Sequence, residues 1–336
     1  MGAHDPTLMI ATKVAKAMLS GGVEVEPLQA GGRNSRIYSV RNDGRSFALK
    51  QYPLPDGDLR DRLATEVGAL RLMHAHGVDV VPHVVAVDRE HNFVLLSWVA
   101  GELVTNPTDA DIDAATAFLA IMHSLRHAPE ACRQPLAAEA CLSASEVERQ
   151  IRSRLLRLSE VPLEELSFHQ FLREEFMAVF TRCVHDVHMQ MDVKNLAFST
   201  ELPHERRSLV PADFGFHNSL RRSDGSLVFL DFEYFGWDDP VKLTADVLWH
   251  PGVVLSSALR RRFRGAAQRL YEQDPQFSER LEALLPLFGL RWVLILLNEF
   301  VPERWHRRVL AGASEQWVEA KELQLAKARA LLAQLA

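Results

Sequence analysis

Pro211-Ala-Asp-Phe-Gly-Phe-His-Asn-Ser-Leu-Arg-Arg-Ser-Asp-Gly-Ser-Leu-Val-Phe-Leu-Asp231 is the stretch on which the reading of this chain turns. Two strand-like runs, one ending near Leu220 and one at Leu227–Leu230, flank Asp224-Gly225, a dipeptide that favours a tight hairpin turn. A two-residue turn centred on that pair would set Asn218 opposite Asp231, an amide oxygen facing a carboxylate within reach of one cation. Asp213 stands on the loop leading in, so two acids and an amide converge. The same pattern also fits a surface hairpin with ordinary polar ends.

Upstream, Leu28–Val40 reads as a glycine-containing loop (Gly31-Gly32-Arg33-Asn34-Ser35-Arg36) opening into a strand. A second turn signal, Asp43-Gly44, separates it from Ser46–Lys50 and pairs Lys50 with Ile37. The lysine ammonium is thereby carried back towards a loop of small residues and free backbone N–H groups, a cradle for phosphates. Gly-Gly before a strand is also compatible with a simple turn. Apolar spacing over 58–75 gives an amphipathic helix with Glu66 at its middle, turned either to solvent or towards Lys50. Strands at 82–87 and 92–99 follow, and Gly101 marks a hinge. These signals divide the chain into a strand-rich part, residues 1–101, and a mainly helical part, 102–336.

In the second part helices are expected over 109–127, within 143–190, and at 242–250, 257–273, 277–288, 290–299 and 314–335. His123 falls on the apolar side of its helix and reads as a packed residue. Phe232–Pro240 is a loop dense in aromatics and acids.

Composition narrows the function. Of 336 residues 47% are hydrophobic and 24% charged, as in a globular protein, and no apolar run reads as membrane-spanning. The N-terminus lacks the pattern of a secretory signal, and Cys132, Cys141 and Cys183 make no CxxC pair, so a reducing cytoplasm is the expected setting. Residues 102–254 carry 14 basic and 24 acidic side chains, whereas residues 255–336 carry 13 and 9. The acidic part holds the opening motif, which suits a metal site. No basic stripe interleaved with aromatics points to nucleic acid, and with no spanning apolar run no membrane partner is expected.

The order of the parts matters more than any one of them. A glycine loop, a strand lysine, a helix glutamate, a hinge, D-x-x-x-x-N and a strand-end aspartate resemble the protein-kinase-like phosphotransfer machinery, in its order. More closely, Gly31–Arg36, Ala48-Leu-Lys50, Glu66, Ala212–Asn218, Asp231-Phe-Glu233 and Trp237-Asp-Asp-Pro240 resemble the aminoglycoside phosphotransferase and choline kinase family. The resemblance covers nearly the whole chain. It implies an α+β, two-lobed fold: a small antiparallel sheet with one helix, then a large helical lobe. It implies ATP and Mg²⁺ as cofactors and a hydroxyl of a small metabolite as acceptor. Gly31, Gly32, Asn34, Ser35, Lys50 and Glu66 would hold the phosphates, Ser97, Trp98 and Val99 would receive the adenine, and Asn218 and Asp231 would bind the metal. Asp213 would be the base. Glu233, Asp238 and Glu299 are the candidate acceptor contacts, with Trp237 and Trp292 as walls.

Two departures stand out. Pro211-Ala212 replaces the family's usual His-Gly before the catalytic aspartate, and Leu243 stands where an aspartate often follows Asp-Pro, with Asp246 available in its place. Alternatives are therefore a nucleotide-binding pseudokinase and an aminoglycoside antibiotic kinase; the positive balance of 255–336 disfavours the latter's polycationic ligands. A protein kinase is disfavoured by the missing Ala-Pro-Glu after Asp231.

Overall fold

The computed structural model describes residues 6–28, 35–53, 60–310 and 316–335. A five-stranded antiparallel sheet is built from β1 (Val23–Pro27), β2 (Arg36–Asn42), β3 (Arg45–Gln51), β4 (Val84–Asp88) and β5 (Phe93–Ser97), in the order β1-β2-β3-β5-β4. Helix α1 (Pro6–Met18) covers one face with Ala11, Val14 and Ala15 against Tyr38, Leu49, Phe93 and Leu95. The other face takes α2 (Arg62–Ala75), whose Leu63, Val67, Leu70 and Met73 share a core with Val94 and Leu96. β5 is thus covered on both sides, which is why Phe-Val-Leu-Leu reads as an unbroken apolar run. Asp61 caps α2 by accepting from Ala64 N–H at 2.7 Å. β1 was not anticipated from the sequence; its Val-Glu-Val-Glu alternation is that of a half-exposed edge strand.

The two Asp-Gly hairpins differ. At Asp43-Gly44 both residues take positive φ (48° and 78°), Asn42 pairs with Arg45, and Lys50 lies opposite Ile37 as expected. At Asp224-Gly225 the loop is one residue longer. Ser223-Asp224-Gly225 connects β8 (Ser219–Arg221) to β9 (Leu227–Phe229), with Arg222 bonded to Ser226 and Gly225 at φ 86°. The Asp224 carboxylate binds Ser226 N–H (2.9 Å) and its hydroxyl (2.7 Å), which favours this wider turn. The register therefore moves by one: Asn218 C=O accepts from Leu230 N–H (2.9 Å), and Asp231 lies one residue beyond the expected pairing.

β6 (Glu102–Leu103) adds to β8, and β7 (Ser208–Val210) pairs with β10 (Gly236–Asp238). The remainder is helical. α3 (Asp109–Leu125) starts at a Thr108–Asp111 capping box; α4 (Ala144–Leu158), α5 (Leu166–Gln170) and α6 (Met177–Val193) follow; α7 (Pro240–Trp249), α8 (Ser257–Leu270), α9 (Phe277–Leu296), α10 (Pro302–Leu310) and α11 (Trp317–Leu332) complete the chain.

The expected break near Gly289 does not occur. α9 runs through it, because Gly289 serves packing: a Cβ there would lie 2.8 Å from Leu335 and 3.1 Å from Trp249. α9 packs against α4, α6, α7 and α11. The helical stretch Phe277–Phe300 is long and apolar enough to cross a membrane, contrary to the sequence expectation, but 72% of its apolar window is buried inside this protein. A helix enclosed by other helices becomes apolar all round. The small antiparallel sheet and large helical part are the fold class expected from the sequence.

Candidate active site

Successive residues of a strand face opposite ways, so β3 buries Leu49 under α1 and sends Lys50 to the α2 side. There Lys50 Nζ donates to Glu66 Oε2 at 2.6 Å and to Asp231 Oδ1 at 2.7 Å, with Glu233 Oε2 at 3.5 Å. Tyr52, two residues along the same face, donates its hydroxyl to Glu66 at 2.5 Å. The other Glu66 oxygen accepts from Phe232 N–H (3.3 Å), which ties α2 to the segment after Asp231. Burial opposes the charge on Lys50, but Asp231 and Glu66 outweigh it and hold the ammonium well above its ordinary pKa. Burial also pushes Glu233 up to about 7, with Asp231 adding to the rise and Lys50 and Arg62 offsetting it. Asp231 has φ 67°, a left-handed conformation that aspartate tolerates better than most residues.

Asp213 lies in the loop before β8. Its N–H closes a three-residue turn onto Pro211 C=O (3.0 Å), with Ala212 between them at φ 66°. Asn218 ties this loop to the Asp231 strand. Its amide N–H donates to Asp213 C=O (3.0 Å), while its own C=O accepts from Leu230 N–H. That hydrogen bond leaves the amide oxygen turned away, available as a ligand atom. His217 Nε2 approaches Asp213 Oδ1 at 3.2 Å and His250 Nε2 approaches the same oxygen at 3.5 Å. Burial alone would raise the Asp213 carboxyl; the contacts from the two histidines reverse this and hold it well below the usual carboxylate range. Burial depresses His250, which is therefore a neutral imidazole near pH 7.

A cavity of about 260 Å³ opens beside Asp213, with Tyr234, Trp292 and Glu299 in its wall. Its floor is a closed ionic network. Lys242 lies between Asp238 (3.2 Å) and Asp246 (3.1 Å); Arg291 holds Glu139 (2.7 Å), Asp246 (3.2 Å) and Gln150 (3.0 Å); Arg154 holds Glu139; and Trp292 donates to Asp246 (2.8 Å). Two arginines outweigh partial burial to hold Glu139 down to about 2. Asp246 is thus the structural anchor that Leu243 cannot be.

Of the residues picked from sequence, Lys50, Glu66 and Asp231 are brought into contact, and Asn218 links the Asp213 loop to Leu230, the residue before Asp231. Ser35 is buried at the mouth of β2; Gly31, Gly32 and Asn34 lie outside the described residues. Ser97 is engaged with His83, donating its N–H to His83 C=O at 2.8 Å and accepting His83 N–H on its hydroxyl oxygen at 2.9 Å, so exposed Trp98 and half-buried Val99 are what this strand end presents. Two expected acceptor contacts are otherwise employed. Asp238 is fully buried, holding Lys242 and the N–H groups of Cys141 and Asp239 (both 2.8 Å), and burial pushes its pKa up to about 6. Glu233 is buried against Arg62 (3.0 Å) and Lys50. Glu299 does line the cavity. Trp237 is core, donating to Ala131 C=O at 3.0 Å, whereas Trp292 is wall. Sequence reasoning missed Tyr52, Arg62, His217 and His250. The two-residue step from Lys50 would have found Tyr52; nothing in the sequence links His250 to Asp213.

Comparison with known proteins places this architecture. The family model described as "Phosphotransferase enzyme family" matches residues 24–281. The chain belongs to that family. Its members are phosphotransferases, so the resemblance drawn from the motifs is borne out, and the protein is a small-molecule kinase by class. Among solved structures it is similar in fold to choline kinase LicA from Streptococcus pneumoniae (TM-score 0.60, 16% identity, 97% of this chain and 98% of that one). It is also similar to a spectinomycin phosphotransferase in complex with ADP and spectinomycin (0.58, 11%, 94% and 98%). A third is the Plasmodium vivax ethanolamine kinase (0.56, 10%, 96% and 87%). No curated protein sequence matches significantly.

Proposed function

We propose that this phosphotransferase moves the terminal phosphoryl group of ATP to a hydroxyl of a small metabolite, a sugar, amino sugar or amino alcohol, with Asp213 as base. Residues 1–101 serve as the nucleotide-binding lobe and 102–336 supply the catalytic loop and acceptor site. The observation that carries the reading is one connected set of bonds: Lys50 joined to Glu66 and Asp231, and Asn218 joined to both the Asp213 loop and the Asp231 strand.

Lys50 supplies the fixed positive charge that phosphate oxygens need, and Glu66 with Tyr52 fixes its direction. Asp213, ionised and opening on the cavity, orients the acceptor hydroxyl and accepts its proton. The donor set suits Mg²⁺, which prefers oxygen: the Asp231 carboxylate and the amide oxygen of Asn218 would hold it, and buried Glu233 Oε2 accepts no hydrogen bond, Lys50 Nζ standing 3.5 Å away. When bound, the ion neutralises charge on the phosphates. Related enzymes bound to ADP support nucleotide use.

The test is ADP release across a panel of sugars and amino alcohols, with Asp213→Asn alongside. Transfer should fall by at least about a thousandfold in the variant while Mg-ATP affinity stays within about threefold. Mg-ATP binding without transfer to any panel member would favour the nucleotide-binding pseudokinase instead. Turnover confined to aminoglycosides would favour the antibiotic kinase, against which the cavity's six basic and four acidic lining residues speak.

A further inference from the structure

The residues that carry Asp213 differ from the family's usual His-Gly-Asp, and the structure offers another source of support for that carboxylate. We infer that His250, backed by His217, is a positioning residue for the proposed base: it pins Asp213 Oδ1 so that Oδ2 is the oxygen presented to the acceptor. This rests on the assignment of Asp213 as base.

Four observations converge. Both imidazoles reach the same carboxylate oxygen, His217 in hydrogen-bond geometry at 3.2 Å and His250 at ion-pair distance, 3.5 Å. Their rings stack with centroids 3.8 Å apart and planes within 4°, and Trp292 packs perpendicular to His250 at 4.6 Å, so the His250 ring is held on one face and by a second aromatic contact. The tautomer is also fixed. Gly252 N–H donates to His250 Nδ1 at 2.9 Å, so Nδ1 is the acceptor and the neutral ring carries its proton on Nε2, the atom aimed at Asp213. Finally, two glycines make room. A Cβ on Gly252 would lie 2.7 Å from the His250 ring and 3.1 Å from His217 Cβ, and a Cβ on Gly215 would lie 2.9 Å from His217 Nδ1.

The same three residues have ligand atoms close enough for a metal ion. The tautomer argues against that use. A metal on Nε2 needs its proton on Nδ1, and Nδ1 already faces an N–H donor, so binding would set two donors against each other. A hydrogen-bond donor to a carboxylate is what this ring is arranged to be.

The role separates from mere packing by a conservative pair. His250→Gln keeps an N–H donor at the reach of Nε2, whereas His250→Leu fills the space without one. With water as the probe acceptor, Mg-ATP hydrolysis in the wild type and Asp213→Asn first gives the Asp213-dependent rate. That rate should fall about tenfold or more in His250→Leu and recover to within about threefold in His250→Gln, with KM for ATP unchanged. Equal loss in both variants, or a change in KM alone, would overturn the inference. A second readout needs no turnover: ¹⁵N imidazole spectra of the full-length protein. His250 should show the Nε2–H tautomer at neutral pH, with its Nε2 resonance moved by Asp213→Asn. An Nδ1–H tautomer, or indifference to that substitution, sinks the proposal even where the kinase reading stands. Should the wild type prove catalytically silent, the kinase reading falls and the spectra alone decide the contact.

Discussion

Ala212 is the residue where the chain departs most visibly from its family, and its backbone shows why glycine is the usual occupant. At φ 66° it sits where an L side chain costs roughly 1–2 kcal/mol. The Asp213 N–H to Pro211 C=O bond and fixed proline φ hold the turn in place despite that cost. Ala212→Gly should therefore raise stability, by no more than about 1 kcal/mol because glycine also gains freedom in the unfolded chain. Denaturant unfolding would register this as a higher midpoint with an unchanged slope, and a lower midpoint would mean the turn is unstrained. The rate need not improve, since the turn's direction is already set. The motif departure was legible in the sequence. The compensation was not, because His250 lies 37 positions from Asp213 on a separate element and only the folded chain puts them together.

At the scale of elements, the junction of α3 with β7 shows what a lone histidine on an apolar helix face can do. His123 Nδ1 meets Ser208 Oγ at 3.1 Å and its ring lies edge-on to Tyr271, so it joins helix to strand rather than binding a metal. Burial lowers its pKa to about 4, with Arg126 adding to the fall. The sign follows from linkage. Between pH 6.5 and 4 the unfolded chain binds a proton that the folded one refuses, so stability is full above 6.5 and falls as pH drops. The loss from this partly buried residue is at most about 3 kcal/mol across the window, reduced by solvent screening. His123→Gln should flatten that part of the stability–pH curve when thermal midpoints are measured from pH 7 to 4; an unaltered slope would place the titration elsewhere.

Elements were the most legible level. Periodicity located nearly every helix, and Asp43-Gly44 set Lys50 opposite Ile37 correctly. Failures had specific causes. Asp224 spends its carboxylate on Ser226, lengthening the turn and shifting the register under Asp231. Gly289 reads as a helix stop in one dimension, yet in three it is a gap filled by Leu335 and Trp249. Asp238 and Glu233 look like surface acids in a loop and prove to be buried counter-ions, since burial depends on packing that spacing does not encode.

For the whole molecule, the decisive feature is the set of buried groups that joins the sheet and α2 to the residues after the second hairpin. Lys50 reaches Asp231, Glu66 receives Phe232 N–H, and Arg62 holds Glu233. Lys50 thus serves two ends: it would meet the phosphates, and it neutralises three carboxylates whose ligand oxygens lie within 4.8 Å of one another. Lys50→Met removes the cation and leaves buried Glu66 and Glu233 facing each other and partly exposed Asp231. Breaking a buried pair in this way costs about 3–5 kcal/mol, enough to lower the melting temperature by roughly 4–7 °C in a chain this long. The loss should depend on pH in a definite direction. Glu233 is raised to about 7 in the intact protein, and without Lys50 it moves higher. A raised carboxyl supplies its stability below the unfolded value and loses it as pH climbs through the folded one. The gap between Lys50→Met and wild type should therefore be widest at pH 8 and narrow towards pH 5, as the cluster takes up protons in place of the ammonium. Glu233→Gln placed on the Lys50→Met background should restore much of the lost stability at pH 8 and little at pH 5. Thermal scans of the four proteins at both pH values decide the matter. A gap that does not change with pH would mean that these carboxylates find other counter-ions, and that Lys50 is poised for its ligand alone.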